Sequence, residues 1–389
     1  MIFMMIQYLS ELVHAQLGNK KPGNIPEDIQ IEELEDIAHR NHMDYLILGA
    51  LLKTELSDEK KLRLKSFIML SAMKSMAQLC CIKELEERFE KEGIYNLFLK
   101  GSVLKKIYPS PEMREMSDID VMIYDKNLDR AKKVVEEIGF TFYESINHHD
   151  IYMKPPMLVI ELHHTLYDKD VDKIQYEYFK SEKPLIVKKD KKYALQFCTE
   201  DFYVYLIAHM AKHFFETGCG IRNIVDVYYY RKLYELTWDK AIIASELEKC
   251  GLTSFENRIC NLAQAWLGGQ KSDSFSYMLF DYMVDCGIYG KSEYGLWGQF
   301  AMLNNNIINY KFQAKRWYYF PSLSYMVKDY PWLNKFPFLL IIAWGIRAVH
   351  GLLNKDGREK RKMLQNINSE DISTIVKIYK GMQLHFNKD

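Results

Sequence analysis

The chain has 389 residues, which is long enough for two or three domains and at least one sizeable hydrophobic core. Hydrophobic residues make up 48% and charged residues 27%, a composition typical of a soluble globular protein that excludes long disordered stretches. The 52 basic and 52 acidic side chains cancel, so the sequence carries no strong nucleic-acid signature.

The two ends of the chain give no membrane or secretion signal. The N-terminal run begins apolar but lacks a basic region and is short for a signal peptide. The most apolar C-terminal stretch, residues 336–343, is too short to span a bilayer. The seven cysteines include no CxxC pair, a pattern typical of reduced thiols. We therefore predict a cytoplasmic protein without a transmembrane segment.

The first 92 residues are predicted to be helical. An acidic, periodic segment at residues 27–40 follows Pro26, which suits the start of a helix. Further helices are predicted at residues 43–53 and 58–91. The apolar stripe of the longest helix keeps three- and four-residue spacing, and it consists of Leu62, Phe67, Leu70, Met73, Met76, Leu79, Ile82, Leu85 and Phe89. We expect this stripe to be packed core rather than a cofactor site.

The pattern changes at Gly93, where short apolar and alternating segments replace the long periodic ones. Strands are predicted at residues 94–99, 118–124, 140–144, 151–154 and 158–166, and helices at 103–108 and 128–138. Pro109 and Pro111 mark a loop between the first helix and the second strand. This order indicates a small mixed α/β domain over residues 93–190.

Residues 191–389 return to helical periodicity. Thr199 is a predicted N-cap, with Glu200 and Asp201 favourable in the first turn of a helix that ends before Gly218. Further helices are predicted at residues 222–235, 238–249, 254–267, 274–286, 338–353 and 370–383. The aromatic stretch at residues 316–332 fits an acceptor platform, a membrane-surface contact or an aromatic core, and the core is the commonest of the three.

Two aspartates at residues 118 and 120 are the first sign of chemistry. On a strand, side chains two apart share a face, so Asp118 and Asp120 lie together while Ile119 and Val121 point into the core. Two adjacent carboxylates repel each other unless a cation lies between them. Oxygen ligands of this kind suit Mg²⁺ or Mn²⁺.

A third carboxylate is expected from a neighbouring strand, and Glu161 in LVIELHHTL supplies it. Burying an unpaired charge in an apolar strand is costly, and a shared metal ion gives a reason for it. His163 lies on the same predicted face as Glu161. The predicted metal ligands are therefore Asp118, Asp120 and Glu161.

The segment LKGSVL, residues 99–104, has the features of a phosphate cradle. Gly101 lets the backbone approach a phosphate closely, and Ser102 adds a hydroxyl at the start of a helix. Each of these features has a simpler explanation by itself, because KGS is a common turn, a DxD pair often lies at an exposed strand edge, and a strand glutamate can pair with a lysine. Their order along the chain favours the functional interpretation.

The ordered set of Gly101-Ser102, Asp118-x-Asp120 and Glu161 resembles the polymerase-β nucleotidyltransferase superfamily. The segments LKGSVL, YPSPEMREMSDIDVMI and VIELHHTL resemble more closely a bacterial family of uncharacterised nucleotidyltransferases, over roughly residues 40–230. The resemblance implies that the GS pair contacts the phosphates of an NTP. It also implies that the two aspartates bridge two metal ions, and that Glu161 holds the ion that activates the acceptor hydroxyl. Many superfamily members have Asp at the third position.

The resemblance suggests further contacts to the nucleotide. Arg114 in the loop before the DxD pair would meet the triphosphate together with Lys100, although a solvated loop arginine is an equal alternative. Lys212, His213 and Arg222, with His163, are candidates for acceptor or phosphate contacts. His209 and His213 have the i, i+4 spacing of a zinc pair, but HMAKH lacks the glutamate of HExxH, so a histidine pair in the core or at an interface is favoured. A structural ion pair explains Arg222 and Asp226.

The predicted fold class is α+β, a small mixed-sheet nucleotidyltransferase domain at residues 93–190 embedded in a largely helical body of residues 1–92 and 191–389. The predicted function is metal-dependent transfer of a nucleotide monophosphate from an NTP to the hydroxyl of an unknown acceptor, which is a small molecule, a protein or RNA. A DxD glycosyltransferase is less favoured because KGS precedes the DxD pair. The alternative from another class is a catalytically silent nucleotide-binding or regulatory module.

Overall fold

A computed structural model describes residues 2–146, 148–168, 173–180, 185–303, 316, 319–323, 326–327, 330–353 and 369–384. These residues form fifteen α-helices and one seven-stranded mixed sheet, so the predicted α+β fold class is confirmed. Within these ranges, every helix is too short or too polar to cross a lipid bilayer. Two compact units form, one within Met1–His213 and Cys219–Tyr289, and the other within Phe214–Gly218 and Gly290–Gln383.

Four helices precede the sheet: α1 (Ile2–Leu17), α2 (Ile31–Arg40), α3 (Asp44–Leu51) and α4 (Asp58–Glu92). The long predicted helix is confirmed as α4, whose first turn is capped by Ser57 Oγ accepting from the Lys60 amide. Gly93 ends α4 with φ of 66°, a left-handed conformation that glycine adopts without strain. Helix α2 begins at Ile31, later than predicted, because Pro26 and Ile29 form a turn of their own.

The apolar stripe of α4 is only partly core. Its C-terminal half packs against the sheet through Ile82, Leu85 and Phe89, as predicted. Its N-terminal half is exposed instead, and the prediction of core is wrong for Leu62 (73% exposed), Leu70 (59%), Met73 (49%) and Met76 (60%). A 35-residue helix is roughly 50 Å long at about 1.5 Å per residue, so it extends beyond the sheet that covers its other half.

The sheet combines local hairpins with distant pairings. Its strands are β1 (Asn96–Phe98), β2 (Ile119–Ile123), β3 (Thr141–Ile146), β4 (His149–Lys154), β5 (Leu158–His163), β6 (Ile186–Val187) and β7 (Ala194–Gln196), in the order β3-β4-β5-β2-β1-β7-β6. Strands β2 and β5 pair in parallel at the centre, and β1 is antiparallel to β2. Strands β6 and β7 were not predicted, since two and three residues are too few to show a periodic pattern.

One face of the sheet is apolar and the other is polar. The apolar face, with Ile119, Val121 and Ile123 of β2, packs on α4 and on α6 (Leu128–Glu137). Because side chains alternate along a strand, the carboxylates of β2 and β5 lie on the opposite face. The short helix predicted at residues 103–108 begins earlier, as α5 (Lys100–Leu104), and another short helix, α7 (Lys173–Lys180), was not predicted.

The helical C-terminal region contains all the predicted helices and, within the described ranges, one further helix, at Ser292–Leu303, that was not predicted. Its helices are α8 (Thr199–Glu216), α9 (Arg222–Tyr234), α10 (Lys240–Lys249), α11 (Thr253–Trp266), α12 (Ser274–Cys286), α13 (Ser292–Leu303), α14 (Leu340–Leu353) and α15 (Ser369–Met382). Of the aromatic stretch at residues 316–332, Tyr330 and Trp332 pack against a small core of Met326, Leu333 and Ala343. This part fits the predicted aromatic core, and residues 317–318, 324–325 and 328–329 of the stretch lie outside the described ranges.

Candidate active site

The parallel pairing of β2 with β5 brings the predicted carboxylates together. Asp120 lies directly opposite Glu161 in the register of the two strands. Asp118 precedes β2 by one residue and lines the same cleft as Asp120 and Glu161. The three carboxylates, 43 residues apart in sequence at their extremes (118 to 161), therefore meet on the polar face of the sheet.

A lysine lies among these carboxylates. The Nζ atom of Lys100 is 2.7 Å from Asp120 Oδ1 and 4.0 Å from Glu161 Oε2. The backbone of Lys100 has φ of 45°, a left-handed conformation that non-glycine residues rarely adopt. Strained backbone of this kind persists where the surroundings hold it in place, and it aims Lys100 at the carboxylates. The positive charge that neighbouring carboxylates need is supplied in this structure by the ammonium group of Lys100.

His163 holds the same carboxylates from the other side. Its Nε2 atom is 2.9 Å from Asp120 Oδ1 and 3.3 Å from Glu161 Oε2. Burial alone lowers the pKa of His163, but its hydrogen bonds to Asp120 and Glu161 outweigh burial and raise that pKa. Ligand atoms of Asp120, Glu161 and His163 all lie within 4.8 Å of one another, which is close enough to hold one metal ion.

The two aspartates have opposite electrostatic surroundings. Burial and the negative charges of Asp120 and Glu161 raise the pKa of Asp118. Burial also acts to raise the pKa of Asp120, but the charges and hydrogen bonds of Lys100 and His163 lower it below its usual range. Asp120 is thus held as a carboxylate, while Asp118 lacks a cation that compensates its charge fully. A divalent ion bound beside Asp118 would supply one.

The predicted phosphate cradle is packed tightly. Gly101 lines the cleft, and a Cβ atom there would lie 2.9 Å from the Cβ atom of Met116, so packing alone requires a glycine. Ser102 is 1% exposed, and its hydroxyl has no hydrogen-bond partner within the described part of the chain. Gly101 and Lys100 line the cleft, whereas Ser102 is not among its lining residues.

Two arginines form another wall of the cleft. The Nε atom of Arg114 donates to both carboxylate oxygens of Asp226, at 2.8 and 2.9 Å, and Tyr108 Oη donates to Asp226 Oδ1 at 2.8 Å. Arg222 Nη1 donates to the carbonyl of Glu115 at 2.8 Å. The predicted ion pair of Arg222 with Asp226 is therefore wrong, because Asp226 is taken by Arg114 from a loop 112 residues earlier.

This arrangement leaves positive charge in the cleft. Asp226 is bonded to Arg114 and not to Arg222, and the Nε atom of Arg222 is buried without a hydrogen-bond partner among the described residues. Burial and the nearby charge of Arg114 lower the pKa of Arg222 to about 10. A guanidinium that is buried and incompletely paired favours an anionic ligand, and planar oxyanions suit its geometry.

Helix α8 closes the cleft with a stripe of side chains four residues apart: Tyr205, His209 and His213. The Nε2 atoms of His209 and His213 are 3.0 Å apart, so the predicted histidine pair exists but it lines the cleft. Burial and the charge of Lys100 lower the pKa of His213 to about 3. Lys212 lies outside this stripe, with its Nζ atom 3.5 Å from His148 Nε2.

Sequence reasoning overlooked some of the residues around the site. Tyr205 is one, although its spacing of four from His209 is a signal that marks a common helix face. Ser117, Asn223 and Tyr289 also line the cleft, and Tyr289 Oη donates to Ser117 Oγ at 3.1 Å. Ser117, Asn223 and Tyr289 carry no periodic or motif signal, because the fold brings them together from separate segments.

An α+β domain whose cleft joins three carboxylates to two arginines is the arrangement that the sequence predicted for a nucleotidyltransferase. The chain belongs to the family described as uncharacterised nucleotidyltransferase, which it matches over residues 27–268. The match covers α2 to α11 and includes every residue of the cleft except Ile288 and Tyr289. No curated protein and no solved structure matches the chain.

Proposed function

We propose that the protein is a metal-dependent nucleotidyltransferase of the polymerase-β superfamily, which transfers a nucleotide monophosphate from an NTP to an acceptor hydroxyl. The observation that carries the proposal is the convergence of Asp118, Asp120 and Glu161 on one face of the sheet, beside one cleft. Carboxylate oxygens on rigid strands suit Mg²⁺ or Mn²⁺, and a metal ion would offset the mutual repulsion of the three acids.

The charges of the cleft are divided as a metal–NTP complex requires. Acidic oxygens for metal ions come from β2 and β5, while Arg114 and Arg222 present donors to phosphate oxygens. Lys100 lies on the acidic side, bonded to Asp120. The cleft holds about 150 Å³, less than the roughly 300–1,000 Å³ typical of sites for drug-sized ligands, so it suits the triphosphate and its ions while the nucleoside extends outward.

The residues of the chain would position the reactants rather than react with them. A bound divalent ion supplies Lewis-acid stabilisation of the phosphates and activation of the acceptor hydroxyl. Asp118 and Asp120 would hold the nucleotide-bound ion, and Glu161 would hold the ion at the acceptor. Lys100 would exchange Asp120 for a phosphate oxygen, and Arg222 would stabilise charge that develops on the leaving pyrophosphate.

Transfer of labelled nucleotide tests this proposal. The protein is incubated with each of four α-labelled NTPs, with Mg²⁺ or Mn²⁺, and with three acceptor pools: small molecules, RNA and protein, including the chain itself. We expect metal-dependent labelling of one pool that Asp118→Asn and Asp120→Asn abolish. Activity that persists at wild-type level in either variant would refute the assignment. Asp129→Asn, in the first turn of α6, is the matched control.

A second function is supported by one specific observation. The ion pair between Lys100 and Asp120 already neutralises the most buried of the carboxylates, as in a site that no longer needs a metal ion. This favours a catalytically silent nucleotide-binding module. Saturable NTP binding without labelling of any acceptor pool, and with Lys100 and Asp120 still paired in the complex, would support it over the enzyme.

A further inference from the structure

Three histidines cluster beside the carboxylates, on the same side of the sheet. His149 of β4 lies directly opposite His163 of β5 in the antiparallel register, and the carbonyl of His148 accepts from the His164 amide at 2.9 Å. The ring centroid of His148 is 4.7 Å from that of His149 and 5.7 Å from that of His163, and the centroids of His149 and His163 are 5.0 Å apart. One ligand atom from each ring lies within 4.8 Å of the others.

The imidazole rings have unused nitrogens. The Nδ1 atoms of His148, His149 and His163 are all buried, and none has a hydrogen-bond partner in the described parts of the chain. His149 is 9% exposed and His163 is 4% exposed, so bulk water does not solvate these rings freely. Three unpartnered buried nitrogens in one place need an explanation, because buried polar atoms are almost always satisfied.

The carboxylates orient two of these rings as ligands. His163 Nε2 bonds to Asp120 Oδ1 at 2.9 Å, and His149 Nε2 is 3.8 Å from Glu161 Oε1. A metal-binding histidine typically donates its other ring N–H to a carboxylate, which fixes the tautomer and leaves the remaining nitrogen for the ion. The arrangement around His163 has this form, with Nδ1 left over.

We propose that His148, His149 and His163 bind a divalent transition-metal ion, of the zinc, nickel or copper class, beside the carboxylates, with Nδ1 of His163 as a ligand while its Nε2 atom stays bonded to Asp120. Neutral imidazole nitrogens suit these metals, whereas carboxylate oxygens suit Mg²⁺ and Mn²⁺. Nitrogens about 2.1 Å from a tetrahedral ion lie roughly 3.4 Å apart, so the rings would move inward by about 1 Å on binding. Three protein ligands leave a fourth position for water or another ligand.

Lys212 is the group that competes with the ion. Its Nζ atom is 3.5 Å from His148 Nε2, which is at the limit of a hydrogen bond, and its positive charge opposes a second cation. Lys100 is the other nearby cation, and it is paired with Asp120. Removing the charge of Lys212 should therefore strengthen metal binding, whereas removing the imidazole of His148 or His149 should weaken it.

Titration of the full chain with Co²⁺ tests the proposal without any nucleotide or acceptor. The protein is stripped of metal with a chelator, dialysed, and titrated in excess Mg²⁺, which occupies oxygen ligands in preference to imidazoles. We expect one equivalent of Co²⁺ with the visible absorption of nitrogen ligation. His148→Gln and His149→Gln should each lose more affinity than the roughly 10- to 100-fold that loss of an outer-shell partner costs, and Lys212→Met should gain.

His164→Gln is the matched control, because His164 neighbours His163 but bonds to Asp150 at 3.0 Å on the opposite face. It should bind Co²⁺ like the wild type, as should Asp118→Asn. Unchanged affinity in both His148→Gln and His149→Gln, or loss of Co²⁺ in Asp118→Asn instead, would overturn the proposal. Circular dichroism of each variant checks folding, and Lys212→Met tests the same site with all three imidazoles kept. Because nucleotidyl transfer is not measured, failure here is distinct from failure of the proposed function.

Discussion

Replacing Lys100 by methionine removes the cation on which the metal-free carboxylate cluster depends. Asp120 is 2% exposed, and it would lose the Nζ atom 2.7 Å from its Oδ1 while Glu161 and Asp118 remain beside it. Removing one partner of a buried ion pair costs about 3–5 kcal/mol, because the other charge is left uncompensated. The Lys100 side chain is 20% exposed, so we expect the lower end, about 3 kcal/mol.

Divalent metal should reverse this loss if the carboxylates are a metal site. An ion that binds only the folded state adds about 2.7 kcal/mol at a concentration 100 times its Kd. Mg²⁺ should therefore stabilise Lys100→Met substantially and the wild type less, since in the wild type it must displace Lys100 from Asp120. The assay is urea unfolding with and without Mg²⁺, and the control is Lys106→Met, a lysine in the turn after α5 whose side chain is 52% exposed.

Two results would contradict the expected loss of stability and its reversal by Mg²⁺. Metal-free Lys100→Met that unfolds like the wild type would mean that the ion pair contributes no stability. A variant that is destabilised but gains no more from Mg²⁺ than Lys106→Met does would mean that the cluster does not take a divalent ion.

Substitutions at Glu161, Asp226 and Lys105 test other parts of the structure. Glu161→Gln should keep Mg–NTP affinity within a few-fold, since the two aspartates remain, and should lose labelled transfer by at least 100-fold. Calorimetry measures the affinity and the transfer assay measures the activity. A loss of affinity would instead place Glu161 in the nucleotide site. Asp226→Asn should cost about 3–5 kcal/mol in urea unfolding, because the buried guanidinium of Arg114 would lose the carboxylate to which its Nε atom is bonded; a loss below about 1 kcal/mol would mean that the charge of Asp226 is dispensable. Burial lowers the pKa of Lys105 to about 7 from its ordinary 10.5, so the unfolded chain binds more protons between these values and this residue makes stability rise with pH there. Lys105→Met should remove that rise between pH 7 and pH 9, and an unchanged slope would contradict it.

The sequence predicted the features that depend on local periodicity. Alternation in β2 placed Asp118 and Asp120 on one face, with Ile119 and Val121 in the core, because side-chain direction on a strand has a period of two. The same rule separated His163 from His164, which bond to Asp120 and Asp150 respectively. Periodicity also predicted most helices of the C-terminal region, although α14 leaves Ile341, Ile342 and Val349 exposed.

Features that depend on distant pairing were not accessible in this way. The pairing of Arg114 with Asp226 crosses 112 residues, and the pattern of α9 alone favoured Arg222 as the partner of Asp226. The stripe of α4 has one periodicity along its whole length, yet only part of it meets the sheet, because periodicity identifies an apolar face without showing what covers it. The position of the Lys100 ammonium beside Asp120 depends on a left-handed backbone, which the conformational propensities of lysine do not predict.

The site residues fall into two groups for the same reason. Asp120 and Glu161 lie in strands and Asp118 lies one residue before a strand, so alternation predicted all three, whereas Tyr205 and Asn223 lie in helices that approach the sheet only in the folded chain. His148 and His149 lie where β4 begins, and their relation to His163 follows from the register of a hairpin pair. The register of this hairpin is specified by its turn and by which side chains face the core, and neither is evident from the histidines alone.

The most direct test of the central claim is a crystal structure with Mn²⁺ and a non-hydrolysable NTP, in which anomalous scattering locates the ions. We expect Mn²⁺ between Asp118 and Asp120, a second ion at Glu161, the triphosphate against Arg222, and Lys100 moved from Asp120 to a phosphate oxygen. A saturated complex with no Mn²⁺ at these carboxylates, and with Lys100 still 2.7 Å from Asp120, would contradict it.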